Sequence, residues 1–185
     1  MEILAVVLAL LYLILAIRQN ILCWLCAAIS TLIYVFVFFE AKLYMESLLN
    51  VFYFLMAIYG WYSWSAKKGY PTGINITVWS LRIHIFTIIL IILISIISGY
   101  YLTIYSDASY PYLDSMTTFF SIWATYLVAL KVLENWWYWL IIDLFSMVIY
   151  WSRELEATAI LFMVYILLIP FGMASWKRSY NKQMI

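Results

Sequence analysis

Polar residues punctuate this chain at wide intervals, and the apolar runs between them are of similar length. Seven such runs cover about residues 3–17, 21–39, 43–64, 81–105, 114–131, 136–152 and 156–176. Each is near the roughly 20 residues that an α-helix needs to cross a bilayer. Arg18-Gln19-Asn20 divides the first pair, Glu40-Ala41-Lys42 the second and Arg153-Glu154 the last. The longest connection, Ser65 to Ser80, gathers Lys67, Lys68, Gly69, Pro71 and Gly73, and a second break at 106–113 holds Asp107 and Pro111. Clusters of this kind end helices. The pattern predicts an all-α integral membrane protein of seven transmembrane helices, with no soluble domain left over.

Inside the runs, the polar and aromatic positions keep helical register. Trp136, Trp139, Asp143, Ser146 and Tyr150 follow steps of three, four, three and four, so they share one face of the sixth helix. The opposite face, with Leu140, Ile141, Leu144, Met147 and Val148, suits lipid or a neighbouring helix. A carboxylate at the depth of Asp143 is costly unless it faces a cavity, a partner or a cation, which makes it the leading functional candidate. On the third helix Glu46 and Asn50 lie one turn apart with Tyr53 on the next turn, and together with Asp143 they could line one cavity. The ordinary alternatives are a Glu46 that reaches the outer interface and an Asn50 that bonds a neighbouring helix. Trp61, Trp64, Trp151 and Trp176 stand at helix ends, where an aromatic belt explains them.

The chain carries an internal repeat. Asn20-Ile21-Leu22-Cys23-Trp24 resembles Asn135-Trp136-Trp137-Tyr138-Trp139, which sets Trp24 against Trp139. Gly60 to Lys68 matches Gly172 to Arg178 in its glycine, serine, tryptophan and basic pair. Helices 1–3 and 5–7 then read as two copies of one unit. A three-helix unit ends on the side opposite its start, so a linking helix is needed for both copies to run in the same sense. The expected units are residues 1–64, a loop and linking helix at 65–105, and residues 106–185 with a cytoplasmic tail. Such a 3+1+3 parallel repeat places a substrate site between the halves.

Composition narrows the class further. With 68% hydrophobic and 10% charged residues, the chain has too little polar surface to cover a soluble globule. Eight basic residues, Arg18, Lys67, Lys68, Arg82, Lys131, Lys177, Arg178 and Lys182, fall on one side of the spans, against Lys42 and Arg153 on the other. The positive-inside rule therefore predicts an outer N-terminus and a cytoplasmic C-terminus. The first run lacks a basic leader and a small-residue cleavage site, so it reads as a retained helix. A net charge of +1 gives no reason to expect nucleic acid. Cys23-Trp24-Leu25-Cys26 sits inside an apolar helix and reads as packing, and His84 is the single histidine. No nucleophile–base pair, metal set or phosphate loop can be assembled, so neither an enzyme nor a cofactor is expected. Proton-coupled transport through Glu46 or Asp143, or a cargo-free structural or sensory role, are the competing readings.

Leu48-Leu49-Asn50-Val51-Phe52-Tyr53, Ile58-Tyr59-Gly60-Trp61-Tyr62-Ser63-Trp64 and Glu134-Asn135-Trp136-Trp137-Tyr138-Trp139 with Asp143 resemble the PnuC family of bacterial vitamin transporters. The resemblance spans essentially the whole chain. It implies a SWEET-like fold in the bacterial inner membrane, a homotrimer, and facilitated diffusion of a vitamin made unidirectional when a cytoplasmic kinase phosphorylates the cargo. Carried over, Trp136 and Trp139 match the substrate-stacking pair. Beside them, the residue pattern itself adds Asp143, Asn50, Tyr53, Glu46, Ser146 and Trp24 to the expected substrate-binding site. Three positions depart from the nicotinamide riboside pattern: Asn50 replaces a glutamine, Ala57 an asparagine, and Asp143 a second asparagine. A site so changed loses donors for a ribose and gains charge. The expectation is a cationic B-vitamin, thiamine slightly ahead of nicotinamide riboside.

Overall fold

The computed structural model describes residues 2–40, 44–65, 73–106, 110–152 and 156–184. Each predicted run is a helix: α1 (Glu2–Ile17), α2 (Leu22–Glu40), α3 (Tyr44–Trp64), α4 (Leu81–Tyr105), α5 (Pro111–Ala129), α6 (Asn135–Ser152) and α7 (Glu156–Gln183). Two boundaries differ from expectation. α5 begins at Pro111, because a proline in the first turn has its φ preset and lacks only an N–H that would go unbonded there. α7 continues past Trp176 to Gln183, so the expected tail is helix. Its Lys, Arg and Gln residues are good helix formers, and Lys182 in the last turn complements the helix dipole. The segments Leu81–Tyr105 and Ala159–Gln183 are long and apolar enough to cross a membrane.

α1, α2 and α3 pack in sequence, as do α5, α6 and α7; α4 lies on α5, and contacts of α1 with α7 and α3 with α5 join the two triplets. Small residues allow these approaches: Ala5, Ala124, Ala129 and Ala159 are fully buried. Serine hydroxyls staple neighbouring backbones, Ser30 donating to the Ala5 carbonyl at 2.8 Å and Ser47 to that of Val35 at 2.9 Å.

The turns after α1 and α5 are built alike. Gln19 at φ 55° and Lys131 at φ 51° are the only non-glycine residues with positive φ among those described. The Asn20 amide donates to the Leu15 carbonyl as that of Val132 does to Leu127, and Cys23 to Asn20 as Asn135 does to Val132. Farther along, a Cβ at Gly60 would collide with the Trp24 indole, and one at Gly172 with that of Trp136. Trp24 thus corresponds to Trp136 and not to Trp139. The two asparagines mislead because Asn20 belongs to its turn whereas Asn135 opens its helix.

The largest core cluster joins Trp24, Trp64, Trp136 and Trp176 with Ala16, Cys23, Ala57 and Ala129. Trp64 and Trp176, expected in an aromatic belt, are 3% and 0% exposed, whereas Trp61 and Trp151 do lie on the surface. The segment leading into α4 is fastened to the turn after α5: Thr77 bridges Val132, its amide donating to Lys131 and its carbonyl accepting from Leu133. His84, at the start of α4, is buried and shares a 2.9 Å hydrogen bond with the Tyr138 hydroxyl of α6.

Candidate binding cavity

Between the triplets lies a cavity of about 620 Å³, within the size range of small-molecule sites. Its walls come from α1, α3, α4, α5, α6 and α7. At one end the lining reaches Asp114 in the first turn of α5 and the exposed Ser106. At the other it stops against Ala16, Val128, Asn135 and Trp136, all buried at 4% exposure or less.

The sixth helix supplies the deep wall. Its helical period brings Trp136, Trp139, Asp143, Ser146 and Tyr150 onto the cavity together. On the far side, Ile141, Leu144 and Val148 are exposed, as a lipid-facing stripe requires. Asp143 is 3% exposed. Among the described residues no basic side chain pairs with it, and the described lining contains Asp114 and Asp143 but no lysine, arginine or histidine. A bound cation would supply the counter-charge that the buried Asp143 carboxyl lacks among the described residues.

The third helix contributes Asn50 and Tyr53. Glu46 lies one turn earlier in the α3 backbone, and its side chain lies outside the described residues. Trp24, expected at the site, is absent from the lining: it is wedged on Gly60 and meets Trp64 edge-on, with ring centroids 5.4 Å apart. Its counterpart Trp136 makes the same wedge on Gly172 yet also faces the cavity.

Several lining residues escaped the sequence reading. Tyr12 of α1 and Tyr165 of α7 are apolar-run tyrosines that no spacing marks. Ser115, Thr118 and Ser121 of α5 form a hydroxyl stripe with steps of three, a signal that was available. Three polar atoms of lining residues are buried without a partner: Ser115 Oγ, Asn135 Oδ1 and Trp136 Nε1.

The family described as "Nicotinamide mononucleotide transporter" matches residues 1–178. The chain belongs to this transporter family. Members similar to it include the nicotinamide riboside transporters PnuC of Escherichia coli (strain K12) and Shigella flexneri, each 24% identical over 176 residues, covering 82% of this chain and 74% of theirs. The crystal structure of the vitamin B3 transporter PnuC matches at a TM-score of 0.79 and 19% identity, over 98% of this chain and 82% of that one. The resemblance drawn from the third-helix and sixth-helix strings thus holds for the PnuC family as a whole. Family and fold are those of a membrane transporter and not of an enzyme.

Proposed function

We propose that the protein is a facilitative carrier for a cationic vitamin nucleoside of the nicotinamide riboside type. The observation that carries this reading is Asp143, a buried carboxyl with no basic partner among the described residues, on a cavity wall beside Trp136 and Trp139. A flat pyridinium ring stacks on indoles and is balanced by the carboxylate. Asn50, Tyr53 and Ser146, with the α5 hydroxyls Ser115, Thr118 and Ser121, offer bonds to the cargo's polar edge and sugar. A nucleoside suits the described lining better than a mononucleotide, because a phosphate would meet two aspartates and no base. The names of the PnuC relatives favour nicotinamide riboside, so the preference for thiamine drawn from Asn50, Ala57 and Asp143 gives way. That preference assumed that only the third and sixth helices read the sugar. The α5 hydroxyls supply the donors that those substitutions remove.

In this reading the triplets are two units of a 3+1+3 parallel repeat that rock about the cavity in the inner membrane. The end bearing Arg18, Lys131 and the C-terminus faces the cytoplasm, and chemical modification of the cargo there would prevent its return. Fluorescence titration of the purified protein with nicotinamide riboside, thiamine and riboflavin tests the assignment. Asp143→Asn keeps volume and deletes charge. A charge-assisted bond is worth about 1.5–3 kcal/mol, so the Kd for nicotinamide riboside should rise about 10-fold to 100-fold. An unchanged Kd would remove Asp143 from the site. Liposomes loaded with the carrier, clamped at zero membrane potential, should equilibrate cargo and not concentrate it, with or without a pH gradient; accumulation driven by the pH gradient would favour proton coupling through Asp143 instead.

A further inference from the structure

At the end of the cavity remote from Asp114, Trp136 lines the wall and belongs to a chain of four buried indoles. Trp24 meets Trp64 at 5.4 Å between ring centroids, Trp64 meets Trp176 at 5.9 Å, and Trp176 meets Trp136 at 5.5 Å. The chain passes from the first triplet to the second. Two of its members also bond across the boundary, in opposite senses. Trp64 Nε1 of α3 donates to the Ala129 carbonyl that ends α5, at 3.2 Å, and Trp176 Nε1 of α7 donates to the Ala16 carbonyl near the end of α1, at 2.9 Å. Both acceptors stand among the last carbonyls of their helices; the Ala16 carbonyl also accepts the Gln19 amide at 2.9 Å, so the Trp176 indole uses the oxygen's second lone pair. The Lys131 ammonium sits 4.7 Å from the centre of the Trp64 ring, a cation–π contact that also crosses between triplets.

The other two indoles behave differently. Trp24 is wedged on Gly60 and Trp136 on Gly172, each within its own triplet. One pair of tryptophans therefore stiffens the units while the other pair joins them. We infer that Trp64 and Trp176 are the two bolts of a gate at the end of the bundle bearing the C-terminus, with Lys131 as its cover, and that the structure holds this gate shut. The inference rests on the carrier reading. It deepens it by assigning positioning residues to the transport cycle outside the cargo-binding set. Hydrogen bonds and a cation–π contact suit a bolt because they are directional and are lost by a small sliding of one unit, whereas the wedges survive it. Trp136 both lines the cavity and abuts Trp176 edge-on, so a ring stacked on Trp136 bears directly on one bolt.

Cys23 is a built-in reporter: it is fully buried in this cluster, and Cys26 is the only other cysteine in the chain. In purified protein carrying Cys26→Ala, a hydrophilic maleimide reads exposure of this end through Cys23. Thr118→Cys, placed on the cavity wall in a Cys23→Ala/Cys26→Ala background, reads access from the opposite end. Trp64→Phe and Trp176→Phe each delete a bolt and keep most of the ring. Each should raise Cys23 labelling several-fold and lower Thr118→Cys labelling, the double variant most. If the indole variants fail to elute as a single folded species, Lys131→Met leaves both bonds intact and should move the two sites in the same opposite directions by less. Labelling that rises at both sites would mean general loosening, and any result in which Cys23 fails to gain or Thr118→Cys fails to lose overturns the gate. No cargo is added, so failure of nicotinamide riboside to bind would sink the substrate assignment and leave this measurement intact.

Discussion

Two glycines separate the structural from the binding role of an indole. Gly60 and Gly172 each leave room for a tryptophan ring where a methyl group would collide. Overpacking of that kind costs roughly 1–3 kcal/mol. Gly60→Ala and Gly172→Ala should therefore both lower the melting temperature, but only Gly172→Ala should also weaken cargo binding, because Trp136 faces the cavity and Trp24 does not. Equal effects on Kd would contradict that division. At this scale the sequence was informative about Asp143, since a carboxylate within an apolar run at helical spacing from two tryptophans has few ordinary explanations. It was uninformative about Trp64 and Trp176. A tryptophan at a helix end reads the same whether it meets headgroups or plugs a bundle, and the deciding fact is which helix stands opposite.

Among the elements, the paired turns carry the clearest strain. Lys131 holds a left-handed backbone conformation that disfavours a side chain with a Cβ. Replacing it by alanine or by glycine deletes the cation–π contact alike, but only glycine relieves the backbone. Lys131→Gly should therefore be more stable than Lys131→Ala by about 1 kcal/mol in thermal unfolding. The reverse order would show that the left-handed turn carries no strain. Helix existence is legible throughout, because each apolar run is bounded by polar or turn residues that end helices. Helix ends are less so. Run length counts apolar residues and not backbone bonds, so it leaves the extension of α7 through Lys177, Arg178 and Lys182 outside the helix. The α5 hydroxyl stripe is a weaker signal: steps of three put Ser115, Thr118 and Ser121 on one face, but serine and threonine are common in membrane helices and only the cavity shows what that face meets.

For the whole molecule, the order of packing within each triplet follows from the chain, since its consecutive helices are neighbours, whereas α4 packs on α5 and not on α3, and the triplets meet through α1 with α7 and α3 with α5. The glycine, serine and tryptophan spacing pairs Gly60 with Gly172, as the two indole wedges do, but it sets Trp24 against Trp139 where the turns and wedges set it against Trp136. What lay beyond reach was the fastening of the linking helix. The Thr77–Val132 bridge and the His84–Tyr138 bond attach α4 to the second triplet. The chain is thus divisible. A coding sequence cut between Ser65 and Gly73, with both pieces made in one cell, should give fragments that co-purify and move cargo, because α4 travels with its docking site. A cut just before α5, which severs that helix from the triplet by sequence, should also assemble if the bridge is strong enough to recruit α4 unaided. The contrast between the two yields weighs covalent connection against the few bonds that Thr77 and His84 make.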